Sequence, residues 1–212
     1  MLKWILDLLF PPRCVLCHGF LEIGETELCA KCGRRVLSLQ YRQRGLKPFV
    51  RCMSLLPYEG ICRESITRFK FGGRQFYAET YAKWLAALIR GELDGTFDVM
   101  TWVPVSKRRR RKRGYDQSEL LCRGAAEHLG AEAVCALYKT RDNPAQSTMK
   151  NAEERKRNVK NVFAVSRPEQ IRGKRVLLTD DILTTGITMQ TCARELLRAG
   201  ASQVVGCTLA SV

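Results

Sequence analysis

The chain is predicted to fold as an α/β domain with a parallel sheet flanked by helices, preceded by a small module organised by cysteines. Two observations carry this prediction. From about residue 50 onward, short apolar runs alternate with segments of helical periodicity, a pattern typical of parallel strands joined by helical crossovers. Before that, two Cys-x-x-Cys pairs stand eleven residues apart, in a segment with too little apolar sequence to form its own core.

Length and composition agree with one main domain and one attachment. The 212 residues, of which 45% are hydrophobic, can bury one substantial core. We expect the module over residues 1–45 and the α/β domain over residues 46–212. The net charge of +15 favours anionic partners. The apolar stretches are shorter than the roughly 20 residues that a spanning helix needs, so no membrane span is expected.

The first ten residues are predicted to form a short amphipathic helix rather than a secretory signal. The apolar run is interrupted by Asp7 and leads into Pro11 and Pro12 without a small-residue cleavage site. We therefore expect a cytoplasmic protein. The apolar face of this helix would consist of Trp4, Ile5, Leu8 and Leu9.

The two cysteine pairs have the spacing of a zinc site in which four thiolates converge on one ion. The pairs are Cys14 with Cys17 and Cys29 with Cys32. Gly24 is expected at a hairpin turn between short strands. Disulfides and a redox pair are alternatives, although disulfides are rare without a secretory signal. Cys14 to His18 also matches the CxxCH haem-attachment pattern, and His18 could replace one cysteine as a zinc ligand. The other six cysteines are expected to be small buried or half-buried residues rather than ligands: Cys52, Cys62, Cys122, Cys135, Cys192 and Cys207.

The remaining elements follow from periodicity and glycine positions. Residues 61–90 predict a helix, a turn at Gly72-Gly73 and a longer helix. The other expected elements are strands at 51–58, 98–105, 133–137, 175–179 and 203–209, and helices at 118–129 and 188–199.

The most informative stretch is VLLTDDILTTGIT, residues 176–188. A buried strand delivers Asp180 and Asp181, and a Thr/Gly loop then opens a helix. The first N–H groups of a helix have no internal partner and attract phosphate, and Gly186 allows close approach. Adjacent carboxylates would repel that phosphate but can accept hydrogen bonds from vicinal hydroxyls. A phosphorylated sugar is therefore the predicted ligand.

Two basic stretches follow other strands of the predicted sheet. VPVSKRRRRKRGYDQSELL, residues 103–121, contains seven consecutive cations and is expected to be a loop beside the phosphate cradle. RDNPAQSTMKNAEERKRNVKNVF, residues 141–163, is long for a connection, as functional lids often are. Fifteen Lys or Arg and seven Asp or Glu lie between residues 105 and 160, so about half of the net charge surrounds the proposed cleft.

The 176–188 stretch resembles the motif of type I phosphoribosyltransferases (PRTases), whose two acids hold the ribose hydroxyls of phosphoribosyl pyrophosphate (PRPP) and whose loop holds its 5-phosphate. Nearly the whole chain resembles the ComF family of PRTase-related proteins. The matching segments are FPPRCVLC with the second CxxC, LLPYEG with TRFKFGG, VPV with RGYDQSELL, QSTMKNAEERKRNVKNVF, and VLLTDDILTTGIT.

The resemblance assigns roles to individual residues. It implies structural Zn²⁺ on the four paired cysteines. It also implies that PRPP, with Mg²⁺ on its diphosphate, binds to Asp180, Asp181, Thr184, Thr185, Gly186, Ile187 and Thr188. It suggests diphosphate or lid contacts from Lys107, Arg113, Tyr115, Gln117, Arg155, Arg157 and Asn158. A nucleic-acid patch would consist of Arg108, Arg109, Arg110, Arg111 and Lys112, where Tyr115 could stack a base. Relatives often carry further cysteine pairs, of which Cys52 is the nearby remnant, and a Pro-Leu-His type of sequence where this chain has Ser106-Lys107.

The resemblance implies a protein that binds PRPP and single-stranded DNA and acts in DNA uptake during competence, with DNA-uptake proteins as partners. The alternative is an active Mg²⁺-dependent PRTase that joins the ribosyl carbon to an unknown acceptor and releases pyrophosphate, in nucleotide or related metabolism. No general base is evident, because His18 belongs to the cysteine module and His128 is expected within a helix. A third interpretation is a structural zinc-containing adaptor.

Overall fold

The computed structural model describes residues 11–37, 40–142 and 162–212. The expected amino-terminal helix falls on residues outside these ranges. In chain order the helices and strands are α1 Ala30–Leu37, β1 Arg42–Gln43, β2 Cys52–Pro57, α2 Gly60–Phe71, α3 Tyr77–Glu92, β3 Val99–Trp102, α4 Lys107–Arg113, α5 Gln117–Leu129, β4 Leu137–Lys139, β5 Phe163–Val165, β6 Arg175–Leu183, α6 Ile187–Arg198 and β7 Gln203–Ser211.

A five-stranded sheet of order β1-β2-β7-β6-β3 forms the centre of the fold. The pairs β2–β7, β7–β6 and β6–β3 are parallel, and only the two-residue edge strand β1 is antiparallel. The parallel α/β prediction is therefore confirmed. Burial on both faces explains the nearly continuous apolar sequence of β3, β6 and β7.

Two hydrophobic clusters cover the two faces of the sheet. Along β6, Leu177 belongs to the cluster that contains α2, α3 and α5, whereas Val176 and Leu178 belong to the cluster that contains α6. This alternation follows from the two-residue period of a strand. Helices α3 and α5 lie close together at Gly124: a Cβ at that position would be only 2.6 Å from the Cβ of Ala82.

The predicted strand at residues 133–137 is wrong. Ala133 makes only an isolated bridge to Met100, and the chain then leaves the sheet. The strand that follows, β4, instead pairs antiparallel with β5 in a separate two-stranded sheet.

The expected loop over the basic run is a helix, α4. The Ser106 side chain accepts a hydrogen bond from Arg109 N at its start, and Gly114 ends it in the left-handed conformation at φ 84°. These are standard helix caps, and Lys and Arg have good helix propensity.

The cysteine module also differs from expectation. Gly24 lies in a turn at φ 93°, where Glu25 N donates to Glu22 O. The expected short strands do not flank this turn: within residues 11–37, the described strand-like pairing is a single bridge between Arg13 and Phe20. Helix α1 instead begins within the second cysteine pair and contains Cys32.

Five of the six remaining cysteines are buried, and Cys135 is exposed. Among the described helices, none combines the length and the apolar character needed to span a membrane.

Candidate functional site

A cavity of about 870 Å³ lies at the carboxyl ends of β3 and β6. The loop after β3, the end of β6, the start of α6 and one side of α4 form its wall. The last residues of α2 and the β4–β5 sheet complete it. Open parallel sheets bind ligands at this edge. Six Lys or Arg residues and two Asp residues line the cavity, so its wall is cationic: Lys70, Arg108, Arg109, Lys112, Arg113 and Lys139, against Asp180 and Asp181.

The two adjacent acids have different environments. Strand β6 continues through both of them to Leu183, four residues beyond the expected end at residue 179. Asp180 Oδ1 accepts hydrogen bonds from Ser118 Oγ and from Asp181 N, both at 2.9 Å. Asp181 Oδ2 lies 2.9 Å from Lys70 Nζ. Asp181 is therefore paired with a cation, whereas Asp180 has neutral donors.

Burial raises the pKa of Asp180 to about 7, and the neighbouring charge of Asp181 adds to the effect. The donors Asp181 N and Ser118 Oγ oppose the rise. A carboxyl group with this pKa exchanges a proton near neutral pH. It can therefore either donate or accept a hydrogen bond from a ligand hydroxyl.

The loop 184–188 turns from β6 into α6. Gly186 is the N-cap residue of α6 at φ 77°, and no side chain caps this helix end. A Cβ there would lie 2.7 and 2.8 Å from the two Cδ atoms of Leu46, so any other residue would have to displace Leu46 as well as adopt a strained φ. Arg44 Nη1 donates to Thr184 O at 2.6 Å and holds the loop from outside. The uncapped N–H groups and the positive end of the helix dipole favour an anion here.

Helix α4 presents one side to the cavity. Arg108, Arg109, Lys112 and Arg113 line it, whereas Lys107, Arg110 and Arg111 are exposed and do not. Arg113 is held by Gln117, because its Nη1 donates to Gln117 Oε1 at 2.7 Å. The helix thus divides the basic run into cavity-facing and outward-facing cations.

Two residues that were expected near the diphosphate are buried. Tyr115 is 7% exposed, packs on Phe69 at a ring-centroid distance of 5.8 Å, and donates its hydroxyl hydrogen bond to Phe69 O. Its ring is therefore not available to stack a base, contrary to expectation. Gln117 is fully buried and holds Arg113.

Two lysines of the cavity were not anticipated. Lys70 comes from the end of α2, and Lys139 comes from β4. Burial, together with the smaller effect of the charge of Arg109, lowers the pKa of Lys139 to about 8. Lys70 stands within TRFKFGG, a segment that the family resemblance had already picked out, but its partner Asp181 is 111 positions away in sequence. Sequence separation of this size hides such a pair from local reasoning.

The lid residues Arg155, Arg157 and Asn158 lie outside the described ranges, as does most of the 141–163 stretch. The structure therefore does not test the roles expected of them.

The four paired cysteines converge. One ligand atom from each of Cys14, Cys17, Cys29 and Cys32 lies within 4.8 Å of the other three. The sulfurs of Cys17 and Cys29 are 3.7 Å apart, close to the roughly 3.8 Å expected when Zn–S bonds of about 2.3 Å point tetrahedrally. The donor set and its spacing therefore fit Zn²⁺.

The contacts of His18 argue against a role as a zinc ligand. Its Nδ1 lies 2.9 Å from Tyr77 Oη, and its Nε2 lies 3.4 Å from an Arg74 nitrogen. Both ring nitrogens thus have partners on the α/β domain. The other histidine, His128, is exposed near the end of α5, with Nε2 3.0 Å from Glu79 Oε1.

The cysteine module packs against α2. The Ser65 hydroxyl donates to Val15 O, and the Arg68 guanidinium donates to Leu16 O. Both carbonyls belong to the turn between Cys14 and Cys17. The same helix carries Lys70 into the cavity, so the metal module supports one wall of the site.

Comparison with known families places a zinc-binding domain before an α/β domain, as the structure does. Residues 5–43 match the double zinc ribbon domain, and residues 117–212 match the phosphoribosyl transferase domain. The described residues contain one cluster of four cysteines.

Curated relatives align over nearly the whole chain. The DNA utilization protein YhgH of Escherichia coli O6:H1 is 30% identical over 220 residues, which cover 92% of this chain and 94% of that protein. Competence protein F of Haemophilus influenzae is 26% identical over 91% of this chain and 93% of its own length. Competence protein ComFC of Bacillus subtilis is 29% identical over 69% of this chain and 58% of its own length.

Solved structures resemble the chain more distantly. Glutamine PRPP amidotransferase from B. subtilis is 25% identical over 61% of this chain and 26% of its own length, with a TM-score of 0.42. The family assignment therefore depends on the sequence relatives. With a relative at 30% identity aligned over almost its full length, the chain belongs to the family of competence protein F and the DNA utilization protein YhgH, and joins a PRTase-type α/β fold to an amino-terminal zinc ribbon.

Proposed function

We propose that the cavity binds PRPP and that the protein uses this site, together with its cationic surface, in the handling of single-stranded DNA during DNA uptake. One observation carries the proposal. An uncapped helix start at Gly186 and two strand carboxylates line one cavity whose remaining charges are cationic. Such a cavity offers separate surfaces to the phosphate, the hydroxyls and the diphosphate of one ligand.

The 5-phosphate would dock on the N–H groups of Gly186, Ile187 and Thr188, with the hydroxyls of Thr184 and Thr185 as further donors. The ribose hydroxyls would bind Asp180 and Asp181. Lys70 already neutralises Asp181 at 2.9 Å, which lowers the repulsion between that acid and an anionic ligand.

The diphosphate would face the cations of α4. Arg108, Arg109, Lys112 and Arg113 supply charge on one side, and Lys139 supplies it on the other. Mg²⁺ binds through substrate phosphates, water and one or two carboxylates, and the carboxylates of this cavity fit that donor set. When bound, the ion would neutralise charge on the diphosphate.

Single-stranded DNA would contact the outward side of α4. Arg110 and Arg111 are exposed beyond the cavity, and a backbone-tracking protein needs such a line of cations. The names of the relatives, DNA utilization protein and competence protein, support this role. Proteins of a DNA-uptake complex are the proposed partners. None of the ten cysteines, all of which lie in the described ranges, forms a disulfide, which favours a reducing, cytoplasmic location.

A second candidate activity is phosphoribosyl transfer to an acceptor. It is favoured by the pKa of Asp180, about 7, which puts a proton acceptor in the cavity at neutral pH. In that reaction the acceptor forms a bond to ribose C1, pyrophosphate leaves with the bonding electrons, and the acceptor's proton passes to a base. This activity would be established by pyrophosphate release that requires an added nucleobase or amine as acceptor and that is lost in Asp180→Asn.

Calorimetric titration of PRPP with Mg²⁺ tests the binding proposal. We expect micromolar binding to the wild-type protein and at least tenfold weaker binding to Asp180→Asn/Asp181→Asn. Asp94→Asn, an exposed acid outside the cavity, should bind as the wild type does. Equal binding by the double variant, or no binding by folded wild-type protein, would refute the proposal.

Fluorescence anisotropy with a labelled oligonucleotide over a salt series tests the DNA role. Glutamine at residues 110 and 111, the outward-facing pair of α4, should weaken binding and make the salt dependence shallower by about 0.7 per lost phosphate contact. The control removes two exposed cations elsewhere, Arg172 and Arg194. If control and test variants lose affinity equally, α4 is not the DNA surface.

A further inference from the structure

Phe71 is an exposed aromatic side chain that the fold does not explain. It is the last residue of α2 and is 70% exposed. The described chain contains seven other exposed large apolar side chains, and Phe71 is the one that lines the cavity. A large ring left exposed does not gain the free energy that its burial would give.

The ring is held between charged neighbours. The guanidinium carbon of Arg113 lies 4.7 Å from the ring centroid, within the range of a cation–π contact. Gln117 fixes that arginine from the other side at 2.7 Å. With one face under Arg113 and 70% of the side chain exposed, the other face of the ring is open to solvent.

Phe71 lines the same cavity as the ion pair between Lys70 and Asp181. Lys70 contacts Asp181 at 2.9 Å, and adjacent Cα atoms lie about 3.8 Å apart. Phe71 therefore stands next to the residue that binds one of the two acids. A group stacked on the ring would share the cavity with a sugar held at those acids.

We propose that Phe71, backed by Arg113, is a stacking site for an unpaired nucleobase. Every base has a flat π face, and bases stack on aromatic rings and on arginine planes in proteins that bind single strands. The surrounding cations suit the phosphates attached to such a base. This inference rests on the proposed function, and it adds the base contact that buried Tyr115 does not supply.

The test separates base contacts from phosphate contacts. The probes are labelled (dT)15 and an abasic 15-mer with the same backbone, measured by anisotropy against wild type, Phe71→Ala and Phe76→Ala. Phe76 is a matched control, because it is 59% exposed just after the same turn but does not line the cavity.

We expect Phe71→Ala to weaken (dT)15 binding by at least about fivefold, the lower end of the stacking effects seen for alanine substitution. Binding of the abasic strand should change less than twofold. Phe76→Ala should leave both affinities unchanged, and Phe71→Trp should keep the preference for (dT)15. An equal loss for both probes, no loss for either, or no binding of (dT)15 by the wild type would overturn the inference.

Two further arms identify the source of the base and separate the two proposals. Competition by free thymidine would indicate a free base or nucleoside as ligand, and its failure would indicate a base within a strand. PRPP titrated into Phe71→Ala should bind with most of the wild-type affinity, because Gln117 still holds Arg113 once the ring is removed. If the wild type binds no PRPP but Phe71→Ala selectively loses (dT)15, the PRPP proposal fails and the base site stands. The reverse result rejects the base site alone.

Discussion

Gly186→Ala should destabilise the protein by about 2–3 kcal/mol. Gly186 has φ 77°, and an L-residue in this region costs about 1–2 kcal/mol. The new Cβ would also lie 2.7 and 2.8 Å from the Cδ atoms of Leu46. Overpacking costs about 1–3 kcal/mol, and the lower end applies because the contact is with the end of a half-buried, flexible side chain.

Urea unfolding of four variants separates the two contributions. Gly173→Ala is the matched control, because Gly173 has φ 72° and its Cβ would meet nothing within 4 Å. It should therefore lose only the backbone contribution of about 1–2 kcal/mol. Leu46→Ala alone and combined with Gly186→Ala completes the set. The double variant removes the clash, so the double-mutant cycle should give a coupling energy of about 1 kcal/mol.

Two results would refute this reasoning. If Gly186→Ala costs no more than Gly173→Ala, the close contact with Leu46 is absent in solution. If the cycle gives no coupling, the loss in Gly186→Ala arises from the backbone alone.

Three other substitutions test the site and its supports. Asp180→Asn should stabilise the ligand-free protein at pH 8 by up to about 4 kcal/mol. The carboxyl pKa of about 7 in the folded protein is above the unfolded value of about 4, so the stability that Asp180 contributes is present below pH 4 and is lost as the pH rises to 7. Urea unfolding should therefore show the gain at pH 8 and not at pH 4, and an equal gain at both pH values would contradict this reasoning. Cys32→Ser should lower the zinc content and the Tm, and a chelator should lower the Tm of the wild type. Cys135→Ser, at an exposed cysteine outside the cluster, should behave as the wild type does. Unchanged metal content in Cys32→Ser would exclude Cys32 as a ligand. Asp116→Ala leaves two backbone N–H groups without the carboxylate they bind and should lower the free energy of unfolding by about 2–4 kcal/mol. In chemical unfolding, Asp116→Asn should lose less stability than Asp116→Ala, and equal losses would argue against the cap.

The parts of the site that are contiguous in sequence could be predicted. Asp180, Asp181 and the loop 184–188 form one strand, turn and helix start, so local chemistry alone indicates an anion cradle beside two acids. The cysteine pairs were equally accessible, because each pair occupies a single turn and their convergence follows from known zinc spacings.

Contacts between distant elements could not be predicted. Lys70 and Lys139 reach the cavity from α2 and β4, and no local pattern marks their approach to β6. Tyr115 was misjudged for the same reason, since its burial depends on Phe69 of a helix 46 positions earlier.

Local signals were also misread at two places. The composition of the charge run 107–113 predicts a loop, although the capping serine before it and the glycine after it indicate a short helix. The segment 133–137 has strand composition, but Ala133 pairs with β3 at a single bridge before the chain turns to β4. Tertiary pairing, rather than propensity, decides where such a strand begins.

A crystal structure of the protein with PRPP and Mg²⁺ tests the central claim most directly. The account predicts the 5-phosphate within about 3 Å of the backbone nitrogens of residues 186–188, with the ribose hydroxyls on Asp180 and Asp181 and the diphosphate towards Arg113. A phosphate bound at the far side of α4, with the Gly186 helix start and both acids free of ligand, would contradict it.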